Sequence, residues 1–221
     1  MKIFKWIAVG LIALVVACAS FLAWRVAYHW ERAPARVAQI LAGADPALGA
    51  ISQKRIDWII QVEDPTFWTN DGVDQSTPGA GMTTLAQGLG KHIFFERFSP
   101  GPLRFGKLEL MVLTRFVLVE RVSKPDILRA VLANAYLGND QNGPVIGFAE
   151  GARRWFGKEL PELTDREFLA LVAMMPAPNR LDPADHASEN EERVQRIERM
   201  LAGECAPAGL NDIYYERCAS P

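Results

Sequence analysis

Residues 6–24, WIAVGLIALVVACASFLAW, run for nineteen positions without a charge, and no other feature restricts the fold of this chain so strongly. In hydrocarbon every backbone N–H and C=O must be satisfied within its own segment, so an apolar run of this length reads as a helix of membrane-spanning size. Trp6 and Trp24 stand at its two ends, where indoles prefer the interface, and Lys2 and Lys5 precede it. Arg25, Arg32 and Arg36 follow it, so the positive charges do not choose an orientation. A cleaved signal peptide is the alternative, and Val15-Val16-Ala17-Cys18 passes as a loose lipoprotein cleavage box. The apolar run continues through Phe21, Leu22 and Trp24, longer than a signal core, which favours an uncleaved anchor over residues 1–28.

The remainder of the 221 residues is enough for one globular domain with a sizeable core. A net charge of −2 offers no broad basic field, which argues against nucleic acid as the main partner. Helical periodicity dominates. Residues 33–50, alanine-rich and punctuated by Pro34 and Pro46, read as part of a connector spanning 29–50. Residues 54–63 place Ile56, Ile59, Ile60 and Glu63 at helical spacing, so Glu63 falls at a helix C-terminus. The run 105–122 predicts one strongly apolar helix buried on most sides. Ser123 opens a capped helix through Leu137, ended by Gly138-Asn139-Asp140, and Thr164-Asp-Arg-Glu167 is a capping-box pattern. A last amphipathic helix covers about 188–202, with Val194, Ile197 and Leu201 on one face. Few stretches alternate with period two, so the class is all-α. The domain spans 51–202, followed by a tail at 203–221. Cys205 and Cys218 in that tail either close a small loop outside the membrane or remain two free thiols.

Two segments carry chemistry: EDPTFWTNDG (63–72) and MTTLAQGLGKH (82–92). A carboxylate beside aromatic bulk loses hydration and becomes a better base, and a lysine can face a phosphate leaving group. Downstream, SKPDILRAVLANAYLG (123–138) and GFAEGARRWFGKELPELTDREFLALVAMMPAPNRLDP (147–183) form a long, specific run. With these segments the domain resembles the peptidoglycan glycosyltransferases of glycosyltransferase family 51, in particular the monofunctional biosynthetic transglycosylases. The resemblance implies a lysozyme-like, mainly helical fold with a membrane-proximal jaw. It also implies polymerisation of lipid II, in which a sugar 4-hydroxyl displaces undecaprenyl pyrophosphate with inversion.

The family's first motif, E-D-x-x-F-x-x-H-x-G, is matched by Glu63, Asp64, Phe67 and Gly72, with Asn70 where histidine is expected. The resemblance makes Glu63 the base, with Asp64 beside it in the catalytic pair and Phe67 against the substrate. In the second motif Thr83 replaces serine, Thr84, Gln87 and Lys91 match, and Ala86, Gly88 and His92 depart. Lys91 then contacts pyrophosphate, and Thr83, Thr84 and Gln87 line the cleft. Gly88 and Gly90 each weaken a helix by about 1 kcal/mol relative to alanine, which predicts a mobile segment. The third motif, R-K-x-x-E, fits poorly: ungapped counting puts Lys107 at the arginine and Met111 at the glutamate. In a shifted register Glu109 supplies the second carboxylate, and Arg104 joins Lys107 in holding pyrophosphate. Only twenty residues separate Glu63 from Thr83, where the family carries a longer stretch.

The resemblance implies no certain cofactor and leaves room for a divalent cation, Mg or Mn, at the second carboxylate. Its partners are lipid II, the nascent glycan strand and the membrane, with other cell-wall synthesis proteins as further candidates. The implied location is the bacterial inner membrane, single-pass, with the domain on the periplasmic side. Two functions stay open: an active glycosyltransferase with an altered site, and a relative that binds lipid II, glycan or cell-wall proteins without turnover. Lysozyme-type cleavage, with Glu63 as acid, is a third and weaker alternative.

Overall fold

The computed structural model describes residues 2–219. Helix α1 (Lys2–His29) begins the chain, and over Phe4–His29 it is long and apolar enough to cross a membrane, with a mean hydropathy of 2.5. Its apolar side chains are not used for a protein core: Trp6, Ile12 and Val15 are all exposed. The fold class is all-α, as the periodicity predicts.

The connector is helical and packs into the domain. Helix α2 (Arg32–Ala42) buries Ala33 and Val37 in the common core, and a 3-10 turn at Pro46–Ala50 is capped by the Asp45 carboxylate, which accepts from the Ala47 N–H at 2.9 Å. Helix α3 (Gln53–Glu63) follows, started by the Ser52 side chain. A loop without helix or strand leads to α4 (Leu85–Phe94). Its hub is Asp74, which accepts from Thr66 Oγ1 at 2.6 Å, Ser76 N–H at 2.8 Å and the Thr77 hydroxyl at 2.5 Å. Burial alone would raise Asp74, but these bonds hold its carboxyl well below the usual range. Gly72 in the same loop has φ 88, and a Cβ there would lie 2.8 Å from Val119 Cγ1, so glycine is required on both counts.

The expected helix over 105–122 is interrupted. It consists of α5 (Phe105–Leu113), a wide π turn (Thr114–Leu118) and the single turn α6 (Val119–Arg121). It is also less buried than predicted, since Leu108 and Phe116 are exposed. Helix α7 (Lys124–Asn134) starts at the Ser123 cap as expected and stops three residues earlier than the sequence suggests. There the chain turns into a hairpin, β1 (Tyr136–Asp140) against β2 (Gly143–Ile146), antiparallel, with Asp140 opposite Gly143. Five-residue strands are too short for alternation to stand out against helical neighbours.

Helix α8 (Phe148–Phe156) ends at Gly157 in the left-handed conformation. Helix α9 (Asp165–Met174) opens with the Thr164–Glu167 capping box, and Phe168 through Met174 are all buried. A helix buried on every side belongs at the centre of a domain, and α9 is packed between α8, α3 and α10 (Ala187–Leu201). Beyond α10 the tail is joined to itself by a disulfide between Cys205 and Cys218.

Candidate active site

Glu63, at the C-terminal end of α3, lines a cleft of about 440 Å³. The other walls come from residues 79–84, from α4 through Leu89, Lys91 and His92, from α7 through Val131 and Asn134, and from Met175 to Pro178. Arg193 of α10 enters from behind, its guanidinium 3.5 Å from Glu63 Oε1. Burial raises the Glu63 carboxyl above its ordinary range, the Arg193 charge opposes that rise, and Asp64 adds to it. Arg193 is itself lowered by burial.

Asp64 follows Glu63 in sequence but points elsewhere. Its Oδ2 accepts from the Leu85 N–H at 3.0 Å, at the N-terminus of α4, and its Oδ1 accepts from Asn70 at 2.8 Å. Asn70, where a histidine was expected, passes the connection on: its Oδ1 accepts from Lys124 Nζ at 3.0 Å and from the Gly72 N–H at 2.9 Å. Burial pushes Asp64 up to about 6, against the lowering effect of the Leu85 hydrogen bond and Lys124. The position and bonding are those of a strut between α3 and α4, and Asp64 is not among the described residues that line the cleft. Phe67 is likewise core, fully buried beneath Lys124, whose Nζ lies 4.8 Å from the ring centroid.

In the second segment the residues divide in the same way. Thr84 and Gln87 form the capping box of α4: the Thr84 hydroxyl accepts from the Gln87 N–H at 3.1 Å, and Gln87 Oε1 accepts from the Thr84 N–H at 3.1 Å. Gln87 lies in the core, whereas Thr84 also borders the cleft. Thr83 and Lys91 line it directly, and Lys107 Nζ donates to Thr83 Oγ1 at 3.3 Å. Burial lowers both lysines, Lys91 further through Lys107 and Lys107 further through Arg104; Lys91 lines the cleft and Lys107 reaches it through Thr83. Arg104 is exposed at the start of α5 and acts there only at a distance. The mobile segment predicted from Gly88 and Gly90 is instead a continuous helix. A Cβ on Gly90 would meet Thr114 Oγ1 at 3.0 Å and Leu110 Cδ1 at 3.1 Å, so this glycine lets α4 approach α5 closely.

Glu109 is not among the described residues of the cleft. It is buried on α5 in an ion pair with Arg25 of α1, and Arg25 also donates to the Phe94 carbonyl at 3.0 Å. Met111 faces Gln75, whose Nε2 lies 3.5 Å from its sulfur. Neither register of the third motif therefore brings a second carboxylate to Glu63. The described residues contain no cluster of three or more metal-ligating side chains. One carboxylate opposed by an arginine and two lysines does not fit a divalent cation.

Arg193 and Ile213 are cleft residues that the sequence reading passed over. A signal for Arg193 was present: it adjoins Val194 and lies four residues before Ile197, on the face of α10 that is buried.

The family model described as Transglycosylase matches residues 75–202, more than half of the chain. Penicillin-binding protein 1B of Vibrio cholerae is 29% identical over 161 residues, covering 66% of this chain and 20% of the relative. A putative transglycosylase of Cupriavidus necator is 24% identical over 167 residues, 70% of this chain and 69% of the relative. A biosynthetic peptidoglycan transglycosylase of Rhodospirillum centenum is 27% identical over 215 residues, 87% of each chain. The chain thus spans about a fifth of the penicillin-binding protein and most of the length of the other two. The helical fold and these matches agree: the chain belongs to the transglycosylase family.

Proposed function

We propose that this protein is a membrane-anchored peptidoglycan glycosyltransferase that polymerises lipid II, with Glu63 as general base. The observation that carries the reading is a half-buried carboxylate, its Oε1 buried and its pKa raised, in one cleft with Thr83 and Lys91. A base whose pKa is raised toward the working pH abstracts a hydroxyl proton more effectively. Glu63 takes the proton of the acceptor 4-hydroxyl as that oxygen attacks the anomeric carbon. Lys91 and Lys107 face the departing pyrophosphate, where compact ammonium groups in a partly desolvated cleft stabilise the developing charge. Helix α1 is the anchor, on the strength of its length and composition, and it keeps the cleft near a lipid-linked substrate.

One observation favours binding without turnover: among the described residues lining the cleft, Glu63 is the one carboxylate, and Glu109 lies elsewhere. Full-length protein in proteoliposomes with labelled lipid II separates the two. Glycan strands are expected from the wild type, with the rate reduced on the order of 10³-fold in Glu63→Gln and lipid II binding retained. Wild-type protein that binds lipid II and forms no glycan would leave only the binding role.

A further inference from the structure

The tail, like Glu63, lies outside the segment 75–202 that matches the family model, and Ile213 lines the same cleft as Glu63. The Cys205–Cys218 bond closes residues 205–218 into a loop, with Cys218 fully buried. This loop is tied to both sides of the site. The Gly79 N–H donates to the Gly209 carbonyl at 2.9 Å and the Gly81 N–H to the Leu210 carbonyl at 2.8 Å, just before Thr83. The Tyr215 hydroxyl donates to the carbonyl of Val62, the residue before Glu63, at 2.5 Å. Its ring packs so closely on the 79–81 segment that a Cβ on Gly79 would lie 2.8 Å from Tyr215 Cε1. Tyr215 has φ 54, a left-handed conformation that costs a tyrosine on the order of 1–3 kcal/mol and persists only where the surroundings impose it.

The same loop holds Arg193. One guanidinium nitrogen donates to the Ala173 carbonyl at 3.2 Å and another to the Ile213 carbonyl at 2.7 Å, while the group lies 5.6 Å from the centroid of the Tyr215 ring. A relaxed arginine–carboxylate pair closes to about 2.8 Å. Here the two carbonyls engage the guanidinium and the pair stands at 3.5 Å, so Glu63 Oε1, itself buried, has only this long contact with Arg193 as a partner among the described residues. The arginine charge is present, and the carboxylate oxygen is not closed into a tight ion pair.

We infer that the disulfide-closed tail is a positioning element of the transfer site, with Ile213 and Tyr215 holding Arg193 where it balances the Glu63 charge without occupying the proton-accepting oxygen. This rests on Glu63 being the base. Arg193 and Tyr215 act through Glu63 and are positioning residues. The charged and titratable groups around Glu63 are Asp64 on its own segment, Arg193 on α10, Tyr215 on the tail, and Lys91 and His92 across the cleft on α4. Because the Arg193 charge opposes the rise caused by burial, loosening or removing it moves Glu63 higher.

Carboxyl-labelled full-length protein tests this by NMR titration, with the Glu63 signal assigned from its loss in Glu63→Gln. Arg193→Gln should raise the Glu63 midpoint by about one pH unit, and move the acid limb of polymerisation up equally. Arg193→Lys should restore most of both. Tyr215→Phe keeps the ring and cuts the tie to Val62, so Glu63 should move in the same direction by less. If Arg193→Gln does not fold, the Tyr215→Phe titration decides. Glu63 titrating as in the wild type in every folded variant overturns the inference, whatever the glycan yield. A shifted titration in protein that makes no glycan upholds the charge pairing and overturns the catalytic reading instead.

Discussion

Glu63 and Glu109 each meet an arginine from a distant part of the chain, in opposite surroundings. Glu109 and Arg25, 84 residues apart, are in direct contact; Arg25 is further satisfied by the Phe94 carbonyl and lies 5.7 Å from the centroid of the Phe95 ring. With Arg36 donating to the Ile93 carbonyl, the contact fastens the end of α1 and the start of α2 to α4 and α5. Glu63 and Arg193 stand 3.5 Å apart at a cleft, with only this long contact on the Glu63 oxygen. The two pairs have the same chemistry. A carboxylate closed on its arginine is a fastening, and one held off by competing carbonyls keeps a basic site.

The comparison can be broken most directly by the same substitution at both glutamates. Glu63→Gln is expected to cost on the order of 10³-fold in glycan synthesis, whereas Glu109→Gln should stay within about threefold. Equal losses would mean that Glu109 also serves the reaction. Breaking the closed pair should instead be seen in stability: Arg25→Ala leaves a buried carboxylate without its partner and should cost about 4 kcal/mol in denaturant unfolding. Converting both members to Met and Leu should recover most of that, since well-packed apolar residues replace a buried pair at little cost. On the Glu63 side, Cys205→Ser with Cys218→Ser removes the cross-link of a short loop, worth about 3 kcal/mol. Protease accessibility of residues 206–217 would report the released tail. The smallest effect is at Asp74, where Ala should cost about 2 kcal/mol at neutral pH through lost charged hydrogen bonds. Its folded pKa is depressed, so this contribution is full above the unfolded value near 4 and is lost as the pH falls. The difference between wild type and Asp74→Ala should therefore shrink in acid, and a difference that grew would contradict the hub role.

Local signals were legible where the interaction is local. Ser123 and Thr164 each cap the helix that follows, as read from the sequence, within four residues; the sequence reading marks Thr84, an equivalent cap, only as a cleft residue. The hairpin was missed because Tyr136–Asp140 is short and its partner strand is set by Gly138 and Gly143 at positive φ rather than by alternation. Site residues were legible as a group and not by role. Glu63, Thr83 and Lys91 reach the cleft, whereas Asp64, Phe67 and Gln87 occupy the scaffold behind it. Motif spacing cannot distinguish these, because it names neighbours in sequence and not the direction of a side chain.

By itself the sequence determined the long apolar N-terminal helix, the helical class, the capped starts at Ser123 and Thr164 and the membership of the family, since each depends on periodicity or on residues close along the chain. Only the tertiary structure decided which glutamate closes on its arginine, that Arg25 fastens α1 to the domain, and that the tail returns to Glu63 through Arg193, Ile213 and Tyr215. The physical reason is that burial, hydrogen-bond competition and charge pairing depend on what distant segments bring to a side chain, and no local pattern records that.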